Sequence, residues 1–272
     1  MFLEQNWLKK MPGYGMIDFN NPQSFAEKLN WLKLYDHNPR YTLMADKVNA
    51  KVLVAKAIGE DYIIPTIKTY TKVNEIVLEE LPNQFVLKCN HDSGFPVICK
   101  DKSHFDLANA KNILSMSLAR DFYALNREWP YKNIERRILA EEYVEDDTFE
   151  DLVNYKFLCF GGEPKLMYIT VKTDDIWEDF FDMDFNPVDM SYGRRKYVGL
   201  INRPACFDEL KDLSRKLSAG IPFVRVDFYI IKGKIKFSEF TFYDWGGYVK
   251  ITPEIWDKKL CDWLVLPNKQ IK

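Results

Sequence analysis

Two carboxylates in the C-terminal part of the chain are spaced so that they could hold a metal ion. Asp227 and Glu239 lie in two β-rich runs, P-F-V-R-V-D-F and F-S-E-F-T, which are joined through Lys232-Gly233-Lys234. Glycine at such a junction predicts a hairpin turn. With an odd number of residues in the loop, both carboxylates share one face, where they repel each other unless a cation such as Mg²⁺ binds them. With an even number they separate, and a hairpin with water-facing acids is the alternative.

Two further side chains belong to this candidate site. Arg225 is two residues from Asp227, and Thr241 is two residues from Glu239, so each shares the face of its acid. The apolar residues between them point the other way. Arg225 could stabilise negative charge that develops in a reaction, or it could simply pair with Asp227.

The elements that must position this hairpin alternate between helices and strands. A capping box of Ser24 and Glu27 predicts a helix over 25–35, and a second helix is predicted from Asp46 to Gly59. Further helices are predicted over 106–126, over 207–219 and from Glu254, the last with Thr252 as its cap. Strands are predicted at 62–65, 85–89, 96–100, 137–144, 155–160 and 165–171. The segment 173–205 is predicted to be irregular, either a functional flap or a mobile insertion.

Hairpins lie between these elements, so the pattern favours an α+β fold with antiparallel or mixed sheets. The chain has 272 residues, of which 47% are hydrophobic, which allows a sizeable core. The G-x-G-x-x-G and G-x-x-x-x-G-K-[ST] motifs are absent from the sequence, which argues against Rossmann and Walker nucleotide sites. The histidines also lack the spacing of a zinc-binding motif such as H-E-x-x-H.

The bulk composition limits the partners and the compartment. The 38 basic and 40 acidic residues nearly balance, so the overall charge does not favour nucleic acid. The five cysteines are scattered without a C-x-x-C pair, which predicts reduced thiols in a cytoplasmic protein. The first ten residues include an acid and lack the apolar stretch of a signal peptide. A short amphipathic contact with a membrane stays open.

Short segments recur in a characteristic order along the chain: A-D-K, F-V-L-K, A-E-E-Y-V, V-R-V-D and S-E-F-T-F. The runs N-Q-F-V-L-K-C-N-H and Y-K-F-L-C-F-G-G-E-P-K support them. In this order the chain resembles the ATP-grasp superfamily, and more narrowly the teichuronopeptide-biosynthesis-type ATP-grasp proteins of surface-polysaccharide biosynthesis. The resemblance extends from about residue 30 to about residue 260. It implies two α+β lobes that hold a nucleotide between them, with a helical segment at 1–60, a small lobe at 61–143 and a large lobe at 144–272.

The resemblance also implies the nucleotide-binding residues. Lys47 and Lys88 would supply positive charge to the ATP phosphates, and the loop after Lys88 would fold over them with its backbone N–H groups. The strand at Glu141 would read the adenine edge, with one acid free for the ribose hydroxyls. The other residues implied in cofactor binding are Asn90, Ser93, Gly94, Glu142, Tyr143 and Val144. Asp92 in the loop is unfavourable beside a triphosphate unless it faces away.

By the same resemblance, Asp227 and Glu239 would bind the Mg²⁺ that bridges the phosphates. Thr241 takes the place where the family commonly has Asn, and a hydroxyl is a poorer Mg²⁺ ligand than an amide oxygen. Arg225 would act in catalysis, and Lys156 matches the family's Y-K-F segment with its role open.

The implied activity is that of an ATP-dependent carboxylate–amine ligase that works through an acyl phosphate. The carboxylate would belong to a uronic acid of a surface glycan and the amine to an amino acid. The protein could associate peripherally with a membrane-bound glycan-assembly complex. An anionic saccharide suits the basic residues Arg194, Arg195, Lys196 and Arg203, which could equally be an ordinary solvated loop.

Other functions stay open. A glycosyltransferase of capsule or O-antigen assembly could use the D-x-D motif of Asp182 and Asp184, although D-x-D often occurs by chance. A sugar phosphotransferase would use the same ATP site. A nucleotide-binding partner without catalysis is the third class.

Overall fold

The computed structural model describes residues 2–93, 96–146, 152–172, 175–197, 199 and 201–269. Its helices, in chain order, are α1 Phe2–Lys10, α2 Phe25–Tyr35, α3 Pro39–Ala45, α4 Lys47–Ile58, α5 Leu107–Ala119, α6 Phe122–Asn126, α7 Phe207–Ser218 and α8 Glu254–Trp263. In the described part of the chain, none of them has the length and apolar character needed to cross a bilayer.

The strands form two sheets. They are β1 Thr66–Tyr70, β2 Phe85–Cys89, β3 Val97–Cys99, β4 Ile138–Glu142, β5 Asn154–Phe160, β6 Glu163–Lys172, β7 Ile176–Phe181, β8 Pro187–Val188, β9 Arg195–Lys196, β10 Phe223–Ile231 and β11 Lys234–Thr241. The smaller sheet has the order β1-β4-β2-β3, and the larger has the order β11-β10-β5-β6-β7-β8 with β9 beside β7. The β7–β9 pair is parallel and the other strand pairs are antiparallel. This confirms the predicted α+β class with mixed sheets.

The two capped helices form where the sequence predicts them. At α2, the Ser24 hydroxyl accepts the Glu27 N–H at 3.2 Å, and the Glu27 carboxylate accepts the Ser24 N–H at 2.9 Å, which completes the capping box. At α4, the Asp46 side chain accepts the N–H of Val48 at 2.9 Å, and Gly59 follows the last turn. These caps satisfy N–H groups that a helix leaves unpaired at its start.

Other predicted elements differ in the structure. The predicted helix over 106–126 is two helices, because Asp121 caps a new start by accepting the N–H of Ala124 at 3.0 Å. The predicted strand at 62–65 is wrong, since a 3₁₀ turn at Glu60–Tyr62 precedes the first strand at Thr66–Tyr70. Thr252 does not cap α8, whose N-cap position is Pro253.

The segment 173–205, predicted to be irregular, contributes strands β7, β8 and β9 to the larger sheet. Phe180, Phe181 and Tyr192 of this segment are buried, with the Phe180 ring 5.0 Å from that of Tyr168 on the neighbouring strand β6. The four C-terminal residues of β7 are all buried. The prediction of an irregular segment is therefore wrong for 176–181, 187–188 and 195–196.

Two hydrophobic cores accompany the two sheets. The larger core joins the large sheet to α7 and to buried residues of α2, α3 and α4, whereas the smaller core lies between the small sheet and α5. Helix α7 covers one face of the large sheet, where the Phe207 and Phe157 rings are 6.0 Å apart. The opposite face carries the polar residues described below. The strands of the smaller sheet lie within 66–142 and those of the larger within 154–241, while the predicted domain boundaries themselves stay a prediction.

Candidate active site

The β10–β11 hairpin places Asp227 directly opposite Glu239. Its turn has two residues, Lys232 with φ 50° and Gly233 with φ 78°, as a type I′ turn requires. An even loop of this kind was expected to separate the acids. That expectation is wrong because a β-bulge between Asp227 and Phe228 shifts the register, with Ser238 as the extra residue on β11. Both carboxylates therefore share one face.

Arg225 is the centre of a buried ionic cluster on this face. Its Nε and Nη2 each donate at 2.7 Å to an oxygen of Asp227, and its Nη1 donates at 2.6 Å to Asp244. The same Nη1 lies 3.0 Å from the Tyr168 hydroxyl, and Nη2 lies 3.3 Å from Glu239. Asp227 and Asp244 are almost fully buried, so the arginine supplies the positive charge that two desolvated carboxylates need.

The pKa values of the two opposed acids are shifted in opposite directions. Burial raises the pKa of Asp227, and this outweighs the attraction of Arg225 and Lys156. Burial acts in the same direction on Glu239, but Lys47 and Arg225 outweigh it and lower the pKa of that carboxyl. The side chain of Glu239 also remains 34% exposed. Glu239 is therefore the more readily ionised and the more accessible member of the pair.

Lys156 stands beside this pair on β5. It lies opposite Asp227 in the sheet, with Nζ 4.0 Å from the Asp227 carboxylate and 5.5 Å from the centre of the Tyr168 ring. Burial, followed by the nearby Arg225, lowers its pKa. Thr241 lies opposite Arg225 on β11, at the edge of the same face. The roles given to these residues by sequence stay predictions.

The oxygen ligands of the hairpin fit a hard divalent cation whose coordination shell is completed by another ligand. The Arg225 fork uses one lone pair on each oxygen of Asp227, and an ionised carboxylate has further acceptor positions. Glu239 adds a second carboxylate at the same place. Within the described residues there is no group of three or more His, Cys, Asp or Glu side chains that could hold a metal by themselves. Two carboxylates with phosphate oxygens are typical of Mg²⁺ sites that act on nucleotides.

A second cluster, of lysines, lies on the smaller sheet and α4. Lys88 of β2 and Lys51 of α4 both form salt bridges with the buried Glu141 of β4. The pKa of Glu141 is lowered, because the two lysines outweigh the effect of burial. Burial lowers the pKa of Lys51, whereas in Lys88 the attraction of Glu141 outweighs burial and raises the pKa. Both oxygens of the Glu141 carboxylate are therefore paired with lysines.

Lys51 was missed by the sequence analysis. Lys47 and Lys51 are four residues apart, which places them on one face of α4. That spacing was the available signal. With Lys88, the two helical lysines form a group of three positive charges around one acid.

The loop after β2 begins at a fully buried residue. The Asn90 amide donates to Asp46 Oδ1 at 2.8 Å and to the Glu135 carbonyl at 2.9 Å, and its side-chain oxygen accepts the Arg137 N–H at 2.7 Å. The backbone of Asn90 also pairs with Arg137 and with Lys47. Asn90 was predicted to bind the nucleotide, but its polar groups are engaged within the chain. It fixes the loop to the start of α4.

The rest of the loop faces in two directions. The Asp92 carboxylate is buried and accepts the Ser117 hydroxyl of α5 at 2.5 Å, so one of its oxygens is held within the chain. The Asp92 carbonyl accepts a hydrogen bond from Lys47. Ser93 is exposed, and Gly94 lies outside the described residues.

The predicted adenine-binding strand continues past Glu141. Glu142 is exposed and its N–H donates to the Pro65 carbonyl at 3.1 Å, while Tyr143 and Val144 are half-buried. Because Glu141 is held by two lysines, Glu142 is the acid whose carboxylate is accessible. Of Glu141 and Glu142, the candidate for the acid that contacts the ribose hydroxyls is therefore Glu142.

The D-x-D motif has a local structural role. Asp182 accepts the N–H groups of Asp184 and Asn186 at 2.9 and 2.8 Å, and the Asn186 amide at 3.0 Å. These bonds close the turn between β7 and β8. The Asp182 carboxylate is therefore occupied by hydrogen bonds within its own hairpin.

The four predicted basic residues contact different side chains. Arg194 contacts Glu178 at 3.3 Å and stacks on Trp245 at 4.7 Å, and Lys196 lies 4.0 Å from Asp179. The others pair elsewhere: Arg203 lies 2.6 Å from Asp208, and Arg195 lies 6.0 Å from the Trp177 ring.

A carboxylate hairpin on one sheet and a lysine cluster beside the other define the ATP-grasp class, and comparison with protein families agrees. The family described as TupA-like ATPgrasp matches residues 27–265. The chain therefore belongs to the TupA-like ATP-grasp family, and the fold and family predicted from sequence are confirmed. Comparison with the curated proteins gives no match.

Among solved structures, the chain is similar to the D-alanine–D-alanine ligase from Bacillus anthracis complexed with ATP, at 16% identity and a TM-score of 0.44. The match covers 82% of this chain and 63% of that one. It is also similar to the N5-carboxyaminoimidazole synthetase from Staphylococcus aureus, at 14% identity and a TM-score of 0.42. That match covers 73% of this chain and 44% of the synthetase, so the chain spans less than two thirds of either protein.

Proposed function

We propose that this protein is an ATP-dependent carboxylate–amine ligase that works through an acyl phosphate. One observation carries the proposal. Helix α4, which carries Lys47, packs against strand β11, which carries Glu239, and the pKa of Glu239 is lowered by Lys47, by Arg225 on its own sheet and by Lys88 of the smaller sheet. Carboxylates suited to Mg²⁺ and lysines suited to phosphates therefore act on one another across a shared site. Membership in the TupA-like ATP-grasp family supports ATP as the nucleotide.

ATP and Mg²⁺ have distinct binding groups in this proposal. Lys47 and Lys88 bind phosphate oxygens, since a lysine ammonium is a compact positive charge that neutralises phosphate well. Asp227 and Glu239 hold Mg²⁺, which neutralises charge on the phosphates and orients them. Among the similar solved structures, one ligase is complexed with ATP, and the ligase PsnB is complexed with Mg and ADP.

The proposed reaction has two steps. An oxygen of the acceptor carboxylate attacks the γ-phosphorus of ATP, the bond to the β-phosphate oxygen breaks, and ADP leaves with an acyl phosphate formed. The amine nitrogen then attacks the acyl carbon, the C–N bond forms, the C–O bond to phosphate breaks and a proton is released. Arg225 and Lys156 carry the positive charge nearest to the buried acids and stabilise the negative charge of each transition state.

The acceptor is proposed to be a uronic acid of a surface polysaccharide or its precursor, and the amine donor an amino acid. Family membership suggests this pair, and the side chains beside the site suit it. Trp245 is exposed and offers an indole face to a sugar ring, while Arg194 lies against the same ring at 4.7 Å and suits an anionic saccharide. A cytoplasmic location, with peripheral contact to a membrane-bound assembly complex, belongs to the same proposal.

The glycosyltransferase alternative has less support, because Asp182 is engaged in its own turn. A sugar phosphotransferase would share the ATP site, and the products separate it from a ligase. A ligase releases ADP and phosphate and forms an amide, whereas a phosphotransferase leaves the phosphoryl group on the sugar.

The test measures ADP and phosphate release from Mg-ATP with a panel of uronic acids, each with and without amino acids, and identifies the products by mass spectrometry. We expect an amide product that requires both substrates, and its loss in Glu239→Gln. Glu163→Gln, at a surface carboxylate that pairs with Arg215, is the matched control. Asp182→Asn should retain activity. A phosphorylated sugar, or activity with nucleotide sugars that requires Asp182, would contradict the ligase proposal.

A further inference from the structure

A row of polar side chains crosses the large sheet on the face that carries the ionic cluster. Asn154 of β5 lies opposite Thr170 of β6, and Thr170 lies opposite Glu178 of β7. Paired residues in neighbouring strands project from the same face. Asn154 is two residues from Lys156 on β5, so the row shares the face of Lys156 and Asp227 and lies about 7 Å along the strand from it.

Each member of this row has an atom without a hydrogen-bond partner. Asn154 Oδ1, Thr170 Oγ1 and Glu178 Oε2 are all shielded from solvent and unpaired in the described structure. The Tyr192 hydroxyl, whose ring packs against Phe180 of β7, is unpaired as well. A buried polar atom without a partner is destabilising, because it has lost its hydrogen bonds to water. The amide and carboxylate oxygens accept hydrogen bonds and the two hydroxyls can accept them as well, so the row suits a ligand rich in N–H donors.

Glu178 lies at the end of the row that is close to several charged side chains. It is 6% exposed, and its other oxygen, Oε1, lies 3.3 Å from the Arg194 Nε. The charged groups that act on it from the neighbouring elements are Asp244, Arg194, Lys156 and Arg225. Burial, with repulsion from Asp244, raises the pKa of Glu178 to about 7. A carboxylate in this range can both accept and return a proton near neutral pH.

We propose that this row is the binding site of the amine substrate, whose ammonium group lies between Thr170 and Glu178 and gives a proton to Glu178 before attack. The inference rests on the proposed ligase function for its chemistry and on the unpaired acceptors for its binding. Neighbouring strands are about 4.8 Å apart, so one ammonium group can bridge two adjacent acceptors. Asn154, one strand further on, accepts from a second donor of the same molecule.

An amino acid is an ammonium ion at neutral pH and has no lone pair with which to attack. Glu178 takes one proton from nitrogen, the free amine forms a C–N bond with the acyl carbon, and the phosphate leaves with the C–O electron pair. The nitrogen then loses its second proton, which yields the neutral amide. Lys156 and Arg225, which interact with Glu178, hold the negative charge of the departing phosphate.

Binding is tested first, because it does not depend on turnover. Amino acids such as glycine, L-alanine and L-glutamate are titrated by NMR saturation transfer with Mg²⁺ and a non-hydrolysable ATP analogue present, and their N-acetyl derivatives serve as ligands without an ammonium group. We expect binding of an amino acid but not of its N-acetyl form, and a loss of about tenfold or more in Glu178→Gln. Thr170→Val should weaken binding too, and provides the test if the Gln variant does not fold.

Asp179→Asn is the matched control. Asp179 is the next residue of β7, equally buried, but it projects from the opposite face and lies near Lys196. It should leave amine binding unchanged. Wild-type affinity in both Glu178→Gln and Thr170→Val, or no binding of any of the amino acids to the wild type, would overturn the proposal.

The proton-accepting role is tested with hydroxylamine, which is uncharged at neutral pH and needs no base. With Mg-ATP and a uronic acid, Glu178→Gln should form the hydroxamate at nearly the wild-type rate and lose amide formation by about 100-fold or more. The acid limb of the wild-type kcat/KM profile should disappear in this variant. A parallel fall of both products would overturn the role as base. If the wild type makes no hydroxamate while amine binding depends on Glu178, the ligase proposal fails and the amine site stands.

Discussion

Asp227 and Glu239 lie directly opposite each other although the turn between their strands has only two residues. Ser238, the extra residue of the bulge, brings the second acid onto the face of the first. Like charges in such positions destabilise a strand pair. Arg225 offsets this by contacting both, at 2.7 Å and 3.3 Å. The bulge therefore creates the acid pair, and the arginine stabilises it within the sheet.

Removal of Arg225 should destabilise the fold as a whole. Arg225→Met would leave Asp227 and Asp244 buried without their cation, which typically costs about 3–5 kcal/mol. Arg215→Met is the control, because its pairs with Glu163 and Asp212 lie at the surface and should contribute about 1 kcal/mol or less. Urea denaturation measures both. Equal losses in the two variants would mean that the buried cluster has no special role in stability.

Nucleotide affinity should depend on Lys88 more than on other lysines of the small sheet. In Lys88→Met, Glu141 keeps Lys51 as its partner, so the sheet should remain folded. We expect the Kd for a Mg-ATP analogue to rise about 10- to 100-fold, equivalent to ~1.4–2.8 kcal/mol, as measured by calorimetry. Lys68→Met, at a surface pair with Glu80 on β1, is the control. A Kd unchanged in Lys88→Met would argue against a phosphate site here.

Asn90 should affect stability and binding together. Asn90→Ala removes hydrogen bonds to Asp46, Glu135 and Arg137, and we expect a loss of about 2–4 kcal/mol in the free energy of unfolding. Nucleotide affinity should also fall, because Lys47 follows Asp46 at the start of α4. In the control Asn83→Ala, an exposed amide loses one hydrogen bond to the Lys102 N–H at 3.2 Å. If both variants unfold at the same urea concentration, the Asn90 network does not carry this part of the fold.

Lys33 predicts a pH dependence of stability. It is buried, donates to the Gly246 carbonyl and to Asn30, and lies beside Glu128; burial lowers its pKa from 10.5 to about 7. Between these values the unfolded chain binds the proton and the folded chain does not, so stability rises with pH across this window. The slope is at most ~1.4 kcal/mol per pH unit for one proton.

The measurement is urea denaturation at a series of pH values within that window. Lys33→Met should lack the rise, so that its stability falls behind that of the wild type as the pH increases. Lys216→Met, at an exposed position of α7, should follow the wild type. A rise of the same slope in Lys33→Met would assign the titration to another group.

The parts of the fold that depend on neighbouring residues could be predicted from sequence. Ser24 with Glu27 fixed the start of α2, and Asp46 with Gly59 bounded α4, because a cap is a contact within a few residues. The order of short segments along the chain was enough to predict the ATP-grasp family. Each of these signals can be read without knowing which strands are neighbours.

The parts that depend on distant pairing could not be predicted. Tyr168 and Asp244 contact Arg225 across 57 and 19 residues, and neither carries a local signal for that contact. The parity of the turn gave the wrong geometry for Asp227 and Glu239, because the sequence does not mark a bulge at Ser238. Whether Asn90 faces the nucleotide or the start of α4 is likewise decided by tertiary packing.

Helix α4 belongs to the large core through Ala50 and Val54, yet its Lys51 reaches Glu141 of the small sheet by an ion pair. A rotation of the small sheet away from this helix would break a charge contact before it exposed any apolar surface of α4. The resistance to such a rotation combines this ion pair with the hydrogen bonds between Asn90 and the start of α4, and added salt should weaken the ionic part. We expect the radius of gyration from small-angle X-ray scattering to increase with ionic strength, and less so in Lys51→Met, where this ion pair is already absent.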